Sequence, residues 1–430
     1  MANKLNIKKN VMTTVIAFLI NILLTFIGYR LLIDQGGLQA LGVWSMLSAA
    51  IFVMRIGDIG MGSAAERYTA MISVEENAKQ IKGYFDTALA INTFLFSILA
   101  VLGWILFSNH IEWIIPKSIE LQKQALDLLP LMFLVFVISN IANVFSGGLR
   151  GLHLGYLGAY LSIVSNLFQM LLVIYLVPKI GIAGLAWAQL AQNGLIIVAA
   201  WIIIYKHMQP YGQISWLPVY ASKKLFKELF SFSFRAQAVS LINGLFEPIS
   251  KFMVGHTAGL STLGIYELAY KVVSLPRHAV VSGVLSMMPA ITRLLSDDIE
   301  TARKLYYRSR KIVILATLSI LTCVVIASPI ISWFLFEKID WLLINFIIVM
   351  SVGFLGNVIG APAYILGFSS AKLLGNLISS VFVIFVLIVG VLITKELFSY
   401  GAIISSAVSL FLGGFLIKNI NEKILDDCKL

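Results

Sequence analysis

The 430-residue chain is poor in charge: Asp, Glu, Lys and Arg make up only 12% of it, against 59% hydrophobic residues. A soluble globular protein carries about 25% charged and 45–50% apolar residues, so half of the usual solubilising charge is missing. Cysteine is scarce as well. Cys323, in an apolar block, and Cys428, at the tail, form neither a metal-binding spacing nor a disulfide framework. No G-x-x-x-x-G-K-[ST] run occurs, so the chain carries no P-loop for ATP. The five histidines, at 110, 153, 207, 256 and 278, form no H-E-x-x-H pair.

What is present is apolar sequence in blocks of about 20 residues or more, enough to cross a ~30 Å hydrocarbon core at 1.5 Å per residue. The runs are continuous and lack a two-residue alternation, which makes them helices and not barrel strands. About twelve spans are expected: 11–33, 38–60, 84–107, 128–149, 155–177 and 183–205, then 229–257, 264–292, 312–336, 341–367, 373–394 and 399–417. The fold class is therefore an all-α polytopic membrane protein. A six-helix bundle over 1–206, a polar linker over 207–228, a second six-helix bundle over 229–418 and a tail over 419–430 divide it. The N-terminal segment with Lys4, Lys8 and Lys9 resembles the n-region of a signal peptide. Its apolar run is too long for an h-region and has no clear small-x-small cleavage site, so it reads as an uncleaved first helix.

A net charge of +11 suggests nucleic acid, but the basic residues are dispersed over short loops and no basic domain could hold a duplex. The positive-inside rule accounts for the excess. With the N-terminus in the cytoplasm, inner segments hold about 21 Lys and Arg and outer segments about 5, with the remainder inside helices. Both termini are then cytoplasmic. Two longer inner loops, 63–82 and 293–310, are polar, compatible with helices, and expected to lie on the inner membrane surface.

These loops occupy equivalent places in the two halves, and an internal repeat accompanies them. Residues 34–45 read D-Q-G-G-L-Q-A-L-G-V-W-S and residues 256–267 read H-T-A-G-L-S-T-L-G-I-Y-E. Gly37, Leu38, Leu41 and Gly42 match Gly259, Leu260, Leu263 and Gly264 without a gap. Each half has an even number of expected helices, so the copies share one orientation. An axis along the membrane normal would relate them, with a cavity between bundles.

Several stretches together resemble the polysaccharide-transporter branch of the multidrug/oligosaccharidyl-lipid/polysaccharide (MOP) exporter superfamily, close to the Wzx-type O-antigen flippases. They are Arg55-I-G-Asp58-I-Gly60-M-Gly62-S-A-A-E-Arg67, Glu247-Pro248-I-S-Lys251-F-M-V followed by Gly264-I-Tyr266-E-L-A, and Gly147-G-L-Arg150-G-L-His153. The resemblance covers essentially the whole chain. It implies a MATE-like two-bundle fold in a bacterial inner membrane. It also implies a flippase that carries an undecaprenyl-pyrophosphate-linked oligosaccharide from the cytoplasmic to the periplasmic leaflet. The implied partners are the lipid-linked cargo, the bilayer and the polymerase and chain-length proteins of the same pathway. No cofactor is expected. Proton or sodium coupling, with Glu247 or Asp58 as carrier, is left open.

Ionisable groups at membrane depth are the candidate site residues. Arg30 lies near the outer end of the first helix, where it can snorkel or pair with Asp34 four residues on. Arg55 and Asp58 are placed for a structural ion pair. Glu247 and Lys251, like Glu267 and Lys271, are four apart, so each pair can neutralise itself. Arg235 has no local partner and competes between the cavity and the cytoplasmic interface. Arg277 falls near the middle of its helix, after Pro276 and beside His278. A central arginine costs about 2.5–3.5 kcal/mol even on the lowest scales, so a compensating anion or a wet cavity is expected. Arg277, Arg30, Lys251, Arg235 and His278 are the candidate cationic lining. Glu247, Pro248, Pro276 and Asp58 are the candidates for coupling or gating, each proline permitting a kink.

The sign of that charge separates substrates. Guanidinium donors match a pyrophosphate, whereas an exporter of cationic drugs calls for unpaired carboxylates. A MATE-like ion-coupled drug or metabolite exporter is the alternative. A membrane-embedded polysaccharide enzyme ranks below it, because no large outer loop is available to house an active site.

Overall fold

The computed structural model describes residues 7–58, 60–72, 74–116, 118–212, 214–217, 221–285, 291, 294, 298–370, 372–394 and 397–427. All regular structure in this range is helical. Contacts divide the chain into two units, one made of Met1–Gly36 with Ala50–Ala238, the other of Gly37–Ala49 with Val239–Leu430.

The first unit contains both ends of α1 (Ile7–Val53), then α2 (Met61–Ala70), α3 (Val74–Asn109), α4 (Ile119–Gly151), α5 (Gly155–Ile180), α6 (Ile182–Met208) and α7 (Lys223–Gly244) as far as Ala238. At Gly37 the backbone of α1 breaks, with φ +66°, a conformation that glycine alone adopts without a Cβ penalty. Helix α4 is the centre of this unit and packs on α2, α3, α5 and α6. Aromatic side chains fill the interior: Phe85 of α3 stacks on Trp201 of α6 at 5.8 Å and meets Phe145 of α4 edge-on at 5.2 Å. Bulk here needs absence of bulk opposite, and Gly148 of α4 leaves the space that Phe85 fills.

The linker after α6 is fastened to α3. Lys82 donates to the Leu217 carbonyl at 3.1 Å and the Ser222 amide donates to Thr87 Oγ1 at 3.2 Å. Tyr84 reaches the Glu228 carboxylate at the start of α7.

The second unit contains α8 (Phe246–Ala258), α9 (Leu260–Leu285), α10 (Ile299–Phe336), α11 (Trp341–Ile359), α12 (Ala361–Ser369), α13 (Leu374–Ile393), α14 (Phe398–Asn421) and α15 (Ile424–Asp427). Helix α11 packs on α9, α10 and α14, and α14 also packs on α8 and α13. The α11–α14 crossing is close because Gly353, Gly356 and Gly414 line it; a Cβ on Gly414 would lie 2.0 Å from the Gly356 carbonyl. Small residues that let backbones approach are the usual basis of helix packing in lipid.

Nine helices among the described residues are long and apolar enough to cross a membrane. The stretches expected at 11–33 and 38–60 fall on one helix of this group, Ile20–Val53, and those expected at 229–257 and 264–292 are not in it. The 229–257 stretch is divided at Leu245 into α7 and α8, and the 264–292 stretch carries Glu267, Lys271 and Arg277. Pro248 sits in the first turn of α8, where its missing N–H is one the helix leaves unbonded anyway. Pro276 lies within α9, which continues through it.

The described parts of the two longer inner loops are largely helical, as their composition allows. At the first, Met61–Ala70 forms a separate short helix and the stretch from Val74 onward is the start of α3. From Ile299, the second is the start of the 38-residue α10, which at 1.5 Å per residue is roughly 57 Å long and exceeds a ~30 Å core. A capped start, with Asp298 accepting from the Thr301 amide at 3.0 Å, lets this basic segment extend the spanning helix.

Candidate functional site

In the second unit, α8 and α9 each carry an acid and a base one turn apart, and the two pairs are laced together. Lys251 Nζ lies 2.7 Å from Glu247 Oε1 and 2.7 Å from Glu267 Oε2, and Lys271 lies 2.9 Å from Glu247 Oε1. Glu267 and Lys271, on one helix, are 4.0 Å apart, so the close partner of Glu267 is Lys251 of the neighbouring helix. Lys251 and Glu267 are buried, at 3% and 2% exposure. Ser45 of α1 adds a donor to Glu267 Oε2 at 2.8 Å. Two acids and two bases sum to zero, and this neutrality lets four charges sit inside an apolar unit.

Arg277 is treated differently. Its Nη2 donates to the Asn357 side chain of α11 and its guanidinium carbon lies 5.5 Å from the centre of the Phe354 ring. Its Nε is buried and has no hydrogen-bond partner. No carboxylate among the described residues forms an ion pair with it. An amide dipole and a ring face stabilise a cation only partly. His278, the next residue, is exposed.

The other candidates lie elsewhere. Arg30, in the first unit, lies 3.7 Å from Asp34. The Arg235 side chain is outside the described residues. Arg55 and Asp58 form no ion pair within 4 Å, contrary to expectation. The chain tightens over Met54–Gly57 and turns extended at Asp58, which accepts from the Gly60 amide at 2.8 Å, while Arg55 lies over the Phe52 ring at 5.6 Å. Asp58 instead faces a cavity of about 200 Å³ with Ser63, Asn92, Asn140, Asn143 and Arg150. Asn92 is buried there with its Oδ1 unsatisfied, and Arg150 pairs with Glu66 at 2.9 Å.

The amides Asn92, Asn140, Asn143 and Asn357 carry no charge and are not among the candidate residues read from the sequence. Their signal was nevertheless in the sequence, as uncharged polar residues inside apolar runs, which hydrogen-bond between helices. Among the described residues, no group of three or more His, Cys, Asp or Glu side chains is placed to hold a metal ion.

This architecture is similar to that of solved MOP-superfamily proteins. The inward-facing conformation of a multidrug resistance MATE family transporter matches with a TM-score of 0.76 at 13% identity, over 97% of this chain and 99% of that one. An outward-facing conformation of such a transporter matches with a TM-score of 0.72 at 14% identity, over 99% and 96%. A MOP superfamily transporter from Pyrococcus furiosus, described as having a binding pocket of reversed polarity, matches with a TM-score of 0.70 at 14% identity, over 98% and 96%. The protein is thus a helical, multi-pass membrane protein with the MATE/MOP transporter fold.

No curated protein sequence matches the chain. Residues 38–342 match the family model described as "Polysaccharide biosynthesis protein", and the chain belongs to that family.

Proposed function

We propose that the protein is a flippase that moves an undecaprenyl-pyrophosphate-linked oligosaccharide, the repeat unit of O-antigen or a similar surface polysaccharide, between leaflets by alternating access. The single observation that carries this reading is Arg277, a guanidinium in an apolar unit with a buried, unsatisfied Nε and no carboxylate paired with it among the described residues. By contrast Glu247 and Glu267 are neutralised by lysines. A pyrophosphate supplies the missing negative charge with oxygen acceptors suited to guanidinium donors.

In this reading the chain crosses a bacterial inner membrane about twelve times with both termini cytoplasmic, and it changes no covalent bond in its cargo. Proton or sodium coupling would involve Asp58 or Glu247. The MATE-like fold keeps an ion-coupled drug or metabolite exporter as the second reading, against which the neutralised carboxylates weigh.

The test is reconstitution in liposomes loaded with a lipid-linked oligosaccharide. Transfer between leaflets with unchanged mass is expected. A product of altered mass supports an enzyme, and protection of cells from cationic dyes supports the drug exporter.

A further inference from the structure

Lys79 and Lys82 of α3 and Lys224 of α7 line one cavity of about 520 Å³ in the first unit, with Ser215, Ser222 and Asp86. Asp86, the one acid in that lining, is already bridged to Lys82. Lys79 and Lys224 are exposed and form no ion pair among the described residues. Three ammonium groups and one carboxylate leave the wall with two positive charges in excess, which repel one another unless an anion enters.

The positive-inside rule explains lysines on loops; it does not explain their convergence. Here two elements distant in sequence are pinned to form one wall. Lys82, buried at 7% exposure, donates to the Leu217 carbonyl, and the Ser222 amide donates to Thr87. The cavity is therefore preformed, with the lysine positions set by the fold.

Depth is marked by aromatic residues. Trp216, 51% exposed, packs on Tyr205 at 4.7 Å and on Trp201 at 6.0 Å, and Lys82 Nζ lies 5.9 Å from the Trp201 ring centre. Trp and Tyr concentrate at the level of lipid headgroups, where lysines attract anionic lipid.

We propose that this cavity is a phosphate-binding site that takes the phosphoryl group of an anionic lipid headgroup. Lys79 and Lys224 contact the phosphate oxygens, and the Ser222 hydroxyl, which accepts from the Leu225 amide, offers a further donor. Lys82, paired with Asp86, holds the linker in place. The site is separate from Arg277 and does not depend on the chain being a flippase.

The experiment uses the purified full-length chain in neutral detergent, with tryptophan fluorescence as the readout. It is titrated with phosphatidylglycerol, phosphatidylcholine or inorganic pyrophosphate. Lys79→Ala combined with Lys224→Ala removes two exposed side chains. Lys223→Ala combined with Lys227→Ala removes equal charge from neighbours that do not line the cavity.

Saturable binding of phosphatidylglycerol, weakened roughly tenfold or more in the first variant and unchanged in the second, is the expected result. Response to phosphatidylglycerol alone assigns a lipid headgroup. A matching, equally lysine-dependent response to pyrophosphate assigns a phosphate site open also to soluble ligands. Equal weakening in both variants, or equal binding of phosphatidylcholine, overturns the proposal. Native mass spectrometry of each variant, counting bound lipids, reports the same outcome independently of the tryptophans.

Discussion

Ser45 and Glu267 occupy the same place in the two copies of the internal repeat, and they hydrogen-bond to each other at 2.8 Å. The contact around them is reciprocal. A Cβ on Gly42 would lie 2.1 Å from the Leu260 carbonyl oxygen, and one on the matching Gly264 would lie 2.5 Å from the Leu38 carbonyl oxygen. Leu38 and Leu260 are themselves equivalent, so each copy meets the other with the same pair of positions, as in a two-fold interface. The glycines recur in the sequence because each is the space into which the other copy's backbone fits.

Alanine at either glycine therefore destabilises the protein. Backbone cannot yield as a flexible side chain does, and overpacking costs about 1–3 kcal/mol. Gly42→Ala and Gly264→Ala are each expected to lower the midpoint of thermal unfolding in detergent. Gly194→Ala is the control: a Cβ there meets nothing within 4 Å, and the substitution is neutral or stabilises by up to about 1 kcal/mol.

The buried charges respond as a set. Lys251→Met leaves Glu267 buried without its close cation, a loss of about 3–5 kcal/mol. Adding Glu267→Gln to Lys251→Met restores neutrality and recovers much of that loss. Thermal unfolding of the two single variants and the double variant checks this, and additive destabilisation contradicts it.

Translocation separates from folding at Arg277. Arg277→Ala is expected to abolish transfer in liposomes while the protein inserts and unfolds at a near-normal temperature, since among the described residues it loses an amide contact and a ring contact. Arg277→Lys keeps the charge and retains activity. Full transfer by the alanine variant removes Arg277 from the mechanism.

A pH dependence is expected at the start of α10. Asp298 accepts from the Thr301 hydroxyl and amide, and these hydrogen bonds hold its carboxyl below the usual range. A carboxyl lowered in the folded state adds stability above its unfolded pKa, and the gain is lost as pH falls through the folded value. Amide hydrogen exchange over 299–303, corrected for intrinsic rates, is therefore expected to accelerate in acid. Asp298→Ala is expected to be fast at every pH.

Much of the architecture was legible in the sequence because the bilayer imposes a long-range rule on short-range composition. A helix must stay apolar for about 20 residues to cross, so α3 to α6 and α10 to α14 appear as blocks. The repeat was legible too, through Gly42 and Gly264, and so were Glu247–Lys251 and Arg277, because charge inside an apolar run is conspicuous. Family membership accompanies these features through residues 38–342.

Other features depended on tertiary structure. That Gly37–Ala49 packs with the second unit, that Lys251 bridges to Glu267 on another helix, and that Arg277 rests on Asn357 and Phe354 are contacts between residues far apart in sequence. Local spacing suggested an Arg55–Asp58 pair; the two charges interact, but the chain turns extended at Asp58 and they make no direct contact. Lysines that read as loop charge became the wall of a cavity only when the linker was fastened to α3. Composition and periodicity determine which segments enter the membrane, because hydrophobic transfer acts on each segment by itself. Which charges meet across helices is set by packing between segments.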